Sequence, residues 1–205
     1  MNSSPEQYSV SLADHRFDPP RSVSALMMRS FPSDRLDEVE SAWSPVRQEL
    51  AKKMELEGEP LEHEHWDWTR KKERVARGDT VLSAVICEAA VQGLIGMAAR
   101  PREAALASGQ DALYVEAAPW NLGSGGSSPR YSGVGTLLLI EAIALSQTNH
   151  LGGRVGLHSL PQAEDFYESR KMNRLGPDPS YYDLVYFEYD EAIALELLSK
   201  SRSLR

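Results

Sequence analysis

The stretch that most constrains this chain is Arg130-Tyr131-Ser132-Gly133-Val134-Gly135-Thr136, which runs directly into the apolar segment Leu137-Leu138-Leu139-Ile140. It lies between two strand-like runs, Ala112 to Ala118 and Arg154 to Ser159. Two glycines one residue apart let a backbone come close to a ligand, and a helix that starts there offers unpaired N–H groups and the positive end of its dipole. Strand, glycine turn and helix N-terminus together suit a phosphate or pyrophosphate, because several N–H donors converge on one charge without any side chain. The same arrangement occurs where a glycine turn only turns the chain, so the neighbouring residues must decide.

Two readings fall at once. A Walker-type loop ends in Gly-Lys-Ser/Thr, whereas Gly135 is followed by Thr136 and Leu137, so no lysine reaches for a terminal phosphate. A dinucleotide fingerprint needs a third glycine and an acidic end to the next strand; position 138 is Leu and the next strand ends His158-Ser159.

Arg-x-x-Gly-x-Gly after a strand resembles the acyl-CoA pyrophosphate loop of the GNAT superfamily of N-acetyltransferases, and the likeness extends over roughly residues 75–190. Leu113-Tyr114-Val115-Glu116-Ala117-Ala118-Pro119 looks like that family's central strand, and Arg154-Val155-Gly156-Leu157-His158-Ser159 like the strand after the loop. Ala163-Glu164-Asp165-Phe166-Tyr167-Glu168 is similar to the helix whose Ala and Tyr recur four residues apart. The chain departs from the pattern at Leu160, where Asn is usual, at Lys171-Met172 in place of Gly-Phe, and in a Gly/Ser-rich insert before the loop.

The resemblance implies an α/β (α+β) fold: a single domain with a mixed, mostly antiparallel central sheet of about six to seven strands flanked by helices, with a parallel pair at the acyl-CoA cleft. It implies that backbone groups of Ala117 and Ala118 pair with the amide-rich arm of CoA. The N–H groups of Tyr131, Ser132, Gly133, Val134, Gly135 and Thr136 would hold the pyrophosphate, with Ser159 completing the cofactor side. Arg130 either adds a charge-assisted contact or faces solvent. Tyr167 is the implied general acid toward the leaving thiolate, against the alternative of a core tyrosine. Glu116 is the implied base, directly or through water, walled by Trp120 and Tyr114 so that its pKa is raised; His158 is the second candidate. Trp66, Trp68 and Trp120 are the candidate acceptor-side residues.

Composition agrees with one domain: 205 residues suffice to bury a core. Residues 1–20 read as an irregular or edge-pairing arm and 21–205 as the GNAT-like domain. Acidic residues outnumber basic ones by 30 to 22, which argues against nucleic acid and anionic membrane as partners. No apolar run approaches the roughly 20 residues that span a bilayer, and Met1-Asn2-Ser3-Ser4-Pro5 lacks a signal-peptide core, so a cytoplasmic monomer or homodimer is expected. The single cysteine, Cys87, reads as a core thiol.

Along the chain, Ser22 to Arg29 predicts a strand. Leu36, Val39, Trp43, Val46, Leu50 and Met54 predict a helical stripe, with Pro45 inside it giving two helices or a kink near Ser44. Gly78-Asp79 predicts a turn into Val81 to Ala90, which pairs with Gln92 to Ala99. Arg100 to Gly109 predicts a connecting turn or short helix, and Asn121 to Arg130 a loop. Helix Gly133 to His150 ends at Gly152-Gly153, a crossover makes Arg154 to Ser159 parallel to Asp111 to Ala118, and Pro161 starts the next helix. Tyr181 to Tyr189 predicts a late strand and Glu191 to Lys200 a terminal helix.

Leu61-Glu62-His63-Glu64-His65-Trp66-Asp67-Trp68 has the oddest local composition. On a strand, His63 and His65 would share a face, but the four-residue spacing of a helical metal pair is missing, so no metal is expected. The alternatives are a surface helix start with Arg70, Lys71, Lys72, Glu73 and Arg74 as a solvated face, or part of an amine pocket. The resemblance as a whole implies transfer of an acetyl group from acetyl-CoA to a primary amine of a small molecule or peptide, by direct attack on the thioester. The other reading left open is a non-catalytic acyl-CoA-binding or regulatory module.

Overall fold

The structure, a computed structural model, describes residues 6–76, 80–100, 109–123 and 128–202. The expected Gly78-Asp79 turn, most of the Arg100 to Gly109 connection and residues 124–127 of the Gly/Ser insert lie outside these. The chain divides into two units, Met1–Leu94 with Val115–Leu138, and Ile95–Tyr114 with Leu139–Arg205.

The first unit holds β1 (Gln7–Asp14), β2 (Arg21–Arg29), α1 (Leu36–Leu56), α2 (Trp68–Ala76) and β3 (Thr80–Cys87). It also holds β4 (Ala90–Arg100) as far as Leu94, the end of β5 (Gly109–Ala117), β6 (Tyr131–Ser132) and the opening of α3 (Val134–Thr148). Its strands hydrogen bond in the order β6-β1-β2-β3-β4. Of the two readings of residues 1–20, irregular or edge-pairing, Gln7–Asp14 takes the pairing one: β1 pairs with β2 from Gln7↔Met28 to Asp14↔Arg21, and on its other side with β6. β3 and β4 are joined by Glu88-Ala89, both left-handed at φ 50 and 60, which is the backbone of a two-residue hairpin turn built without glycine.

α1 runs as one helix through Pro45, which overturns the two-helix alternative. Pro45 and Ser41, whose carbonyl loses its helical donor, both face solvent, so water can replace that bond. The buried stripe also differs from the expected one: Leu36, Val39, Trp43, Arg47, Ala51 and Met54 face inward, while Val46 and Leu50 are half-buried. Steps of three and four residues fit one helical face, and the face includes an arginine.

The second unit holds the remainder of β4, β5 and α3, then β7 (Val155–Ser159), α4 (Glu164–Ser169), β8 (Asn173–Asp178), β9 (Leu184–Tyr189) and α5 (Glu191–Arg202). Its strands follow the order β4-β5-β7-β9-β8. β5 and β7 are parallel, paired at Gln110↔Val155 and Asp111↔Gly156, and β9 runs antiparallel to both β7 and β8. Gly152 and Gly153, at φ 68 and 80, release the chain from α3 into β7. The sheet thus has nine strands among the described residues, not six to seven. The three extra ones are β1 in the supposed arm, two-residue β6, and β8, whose Gly176 and Pro177 suit only an edge. No helix among the described residues is long and apolar enough to cross a membrane.

Candidate functional site

In the first unit the glycine loop is anchored before it opens. Ala118 donates its N–H to the Gln92 carbonyl (2.9 Å) and its carbonyl accepts from the Asn121 N–H (2.8 Å). Buried Asn121 donates Nδ2–H to the Gln92 side chain (3.0 Å) and accepts the Tyr131 N–H (3.0 Å), while Trp120 donates its indole N–H to the same Gln92 oxygen (2.8 Å). The backbone of Ala118 and the N–H of Tyr131 are thus engaged within the protein. Gly133, at φ 96, then turns the chain into α3, where Leu137 N–H makes a bond to Gly133 (2.9 Å). By helix geometry the N–H groups of Val134, Gly135 and Thr136 lie ahead of that bond and have no intrahelical acceptor. The helix sits this deep because of Gly93: a Cβ there would lie 2.5 Å from Val134 Cγ1 and 3.2 Å from the Glu116 carbonyl.

Arg130 does not simply face solvent. Its Nη2 meets Glu88 at 2.6 Å, and Arg16 reaches the other Glu88 oxygen at 2.6 Å while also gripping Asp14 at 2.7 Å. The two guanidiniums lie over the Tyr131 ring at 5.2 and 5.4 Å, and Arg16 donates to the Tyr131 hydroxyl at 2.8 Å. The Arg16 hydrogen bond holds the Glu88 carboxyl below the usual range. Ser132 is bonded to His15 at 2.9 Å. Cys87 is buried, with its thiol toward the Ser24 carbonyl at 3.6 Å.

The buried counterpart is built around Arg47 of α1. It meets Glu116 of β5 at 3.0 Å, Glu40 at 2.8 Å and the Trp66 carbonyl at 2.6 Å. Trp68, wholly buried at the start of α2, donates its indole N–H to the second Glu116 oxygen at 2.6 Å and its backbone N–H to Glu40 at 2.9 Å. Burial pushes the Glu116 carboxyl up, against the pull of Arg47 and Lys71. The raised proton affinity was expected from Tyr114 and Trp120; its surroundings instead come from α1 and α2.

Lys71 corrects the picture of a solvated α2 face. Its ammonium sits 3.5 Å from the Trp66 ring centroid and 4.8 Å from that of Trp68, and burial brings its pKa down to about 7. His63 meets Trp66 edge-on at 5.7 Å, its buried Nε2 has no hydrogen-bond partner among the described residues, and burial lowers its pKa to about 4. His65 is exposed, and residues 62–65 form a turn, so the two histidines do not share a strand face. Among the described residues no three His, Cys, Asp or Glu side chains are placed to hold a metal.

The second unit carries the other candidates. Tyr167 on α4 is buried against Phe187 (5.7 Å) and Phe166 (5.3 Å), and burial raises its hydroxyl pKa. His158 on β7 bonds Asp178 at 2.9 Å and stacks on Tyr181 at 3.9 Å. Ser159 is buried and donates to the Leu160 carbonyl at 2.8 Å. The first unit therefore unites Glu116, Trp66 and Trp68, and separately joins Trp120 to the loop through Gln92. Sequence reading missed Glu40, Arg47, Lys71, Gln92 and Asn121. Only Arg47 left a signal, since it occupies an inward position of the α1 period.

No protein-family model matches the chain, and no curated protein matches it in sequence. Solved structures do. PaiA N-acetyltransferase from Thermoplasma acidophilum, solved with coenzyme A, is 14% identical over 80% of this chain and 98% of its own, with a TM-score of 0.53. Aminoglycoside 6'-acetyltransferase type Ii is 14% identical over 79% and 95% (TM-score 0.51), and an uncharacterised protein of Bacillus halodurans is 9% identical over 98% and 97% (TM-score 0.60). The fold is that of the GNAT acetyltransferases.

Proposed function

We propose that this protein is an acetyl-CoA-dependent N-acyltransferase acting on a primary amine of a small molecule or peptide. The observation that carries the reading is the loop itself: Gly133 at φ 96 opens α3 with the N–H groups of Val134, Gly135 and Thr136 foremost. These donors suit the pyrophosphate of CoA, and the shared fold is one that holds CoA in the PaiA structure. Arg130 would exchange Glu88 for a phosphate oxygen. Ala117, Tyr131, Ser132, Gly133 and Ser159 remain proposed cofactor neighbours; Ala118, with both backbone groups engaged, would contribute only a second carbonyl lone pair.

Acyl transfer needs the amine and thioester held together, a route for the ammonium proton and a proton for the thiolate. Glu116 is the proposed base, its proton affinity raised by burial, with His158 the second candidate; Tyr167 is the proposed acid. Trp66 and Trp68 would lie on the acceptor side. The test is release of free thiol from acetyl-CoA over an amine panel, repeated with Tyr167→Phe. Turnover should fall about 100-fold with CoA affinity little changed, because the hydroxyl acts only in the transition state. CoA binding without thiol release from any amine would favour the non-catalytic module.

A further inference from the structure

The Trp66–Trp68 segment carries more than an acceptor wall. Arg47 is a single guanidinium set between two carboxylates, Glu40 and Glu116, so with both acids ionised the cluster keeps one negative charge. One further monocation must balance it, since an uncompensated buried charge is costly. Below about pH 7 the structure meets this need with the ammonium of Lys71, over the face of Trp66 and beside Trp68. Burial opposes that ammonium most, and repulsion from Arg47 adds to this, while attraction from Glu116, Glu40 and Asp67 favours it. Aromatic faces with an acidic surround are what an organic ammonium selects. Lys71 is a long, flexible side chain of a short helix, whereas Arg47, Trp68 and Glu116 are fixed by mutual hydrogen bonds.

We propose that Trp66, Trp68, Glu40 and Glu116 form a monocation site which Lys71 occupies from within, and that the incoming ligand is an alkylammonium group that displaces the Lys71 ammonium. The inference rests on the acyltransferase reading for its purpose: the alkylammonium is the acceptor amine, and Lys71 withholds the site until one arrives. The site itself is defined without CoA. An exchange of one ammonium for another leaves the cluster's charge unchanged, so displacement requires no net burial of charge. A neutral or anionic acceptor would leave the negative charge unbalanced and is disfavoured.

Methylammonium chloride is the probe, titrated into wild type, Lys71→Met and the Lys71→Met/Trp66→Leu double variant. Melting temperature is followed, with sodium chloride at equal ionic strength as the control. Removing the internal competitor should tighten methylammonium binding about tenfold or more, read as a larger thermal shift in Lys71→Met than in wild type. Loss of Trp66 should cancel most of that gain. If Lys71→Met is unstable, methylammonium and not sodium should restore it. A folded Lys71→Met that shows no ammonium-specific shift, or an unstable one that ammonium does not rescue, overturns the site. CoA affinity of the same proteins is measured apart: a cage that binds ammonium in a protein that ignores CoA would refute the acyltransferase purpose and keep the site.

Discussion

Two carboxylates of the first unit, Glu88 and Glu116, each face arginine, and they behave in opposite ways. Glu88 stands half-exposed on a hairpin tip, bridges Arg16 and Arg130, and has its pKa lowered by the Arg16 hydrogen bond. Glu116 is buried on β5, accepts from Arg47 and the Trp68 indole, and has its pKa raised by burial despite two cationic neighbours. The same pairing chemistry therefore gives a replaceable surface clasp in one place and a closed charge cluster in the other. Solvent decides: at the hairpin, water and ions can substitute for any partner, while in the cluster every charge needs a named one.

The strongest way to break this contrast is Arg47→Met. It leaves Glu40 and Glu116 without their guanidinium, so urea unfolding should show a loss of about 3–5 kcal/mol. A loss well under about 1 kcal/mol would mean that water already reaches the cluster.

Gly135→Asp probes the loop beside the exposed clasp. An aspartate in the first turn suits the helix dipole, so the fold should persist, yet its charge and side chain oppose an approaching pyrophosphate. Calorimetry should show CoA affinity reduced about 100-fold, or about 2.7 kcal/mol. Unchanged affinity in the folded variant would remove the loop from the cofactor site.

The next effect is one of pH. Lys71 is held at about 7 against an ordinary 10.5, chiefly by burial, with Glu116 from β5, Glu40 and Arg47 from α1, and Asp67 before α2 facing it. Between those values the unfolded chain keeps a proton that the folded protein releases. Stability from this group therefore rises as pH climbs from about 7 to about 10.5, and the fold bears its full penalty below that window. The melting temperature of wild type should gain on that of Lys71→Met across the window; parallel curves would show a solvated amine.

Glu88→Gln should matter least. Melting temperature should hold, and CoA should bind no more than about threefold more tightly, because an exposed clasp contributes little and only competes for Arg130. A large loss of stability would place Glu88 with the buried class.

The loop shows how legible the site was. Arg130 to Thr136 is contiguous, so glycine spacing, the helix start and the resemblance could all be read from one window, and β5, β7 and α3 followed from the flanking apolar runs. The cluster was not readable that way. Glu40, Arg47, Lys71 and Glu116 come from α1, α2 and β5; Glu116 stood out as a candidate base, but Glu40 and Lys71 look like ordinary surface charges in their own windows and nothing in sequence joins the four. Arg47 alone occupied a periodic position, and apolar Val46 and Leu50 masked it.

What the sequence determined by itself was local: the glycine turn, the hairpin that joins β3 to β4, and the Leu36, Val39, Trp43 and Met54 positions of the α1 core stripe. Tertiary structure decided what depends on distant partners. Edge strands such as β6 and β8 exist only because a neighbour supplies their hydrogen bonds, and proline-bearing α1 stays whole because Pro45 faces water. The proton affinities of Glu116 and Lys71 depend on how far burial removes them from solvent, a quantity set by the packing of three elements that no single window contains.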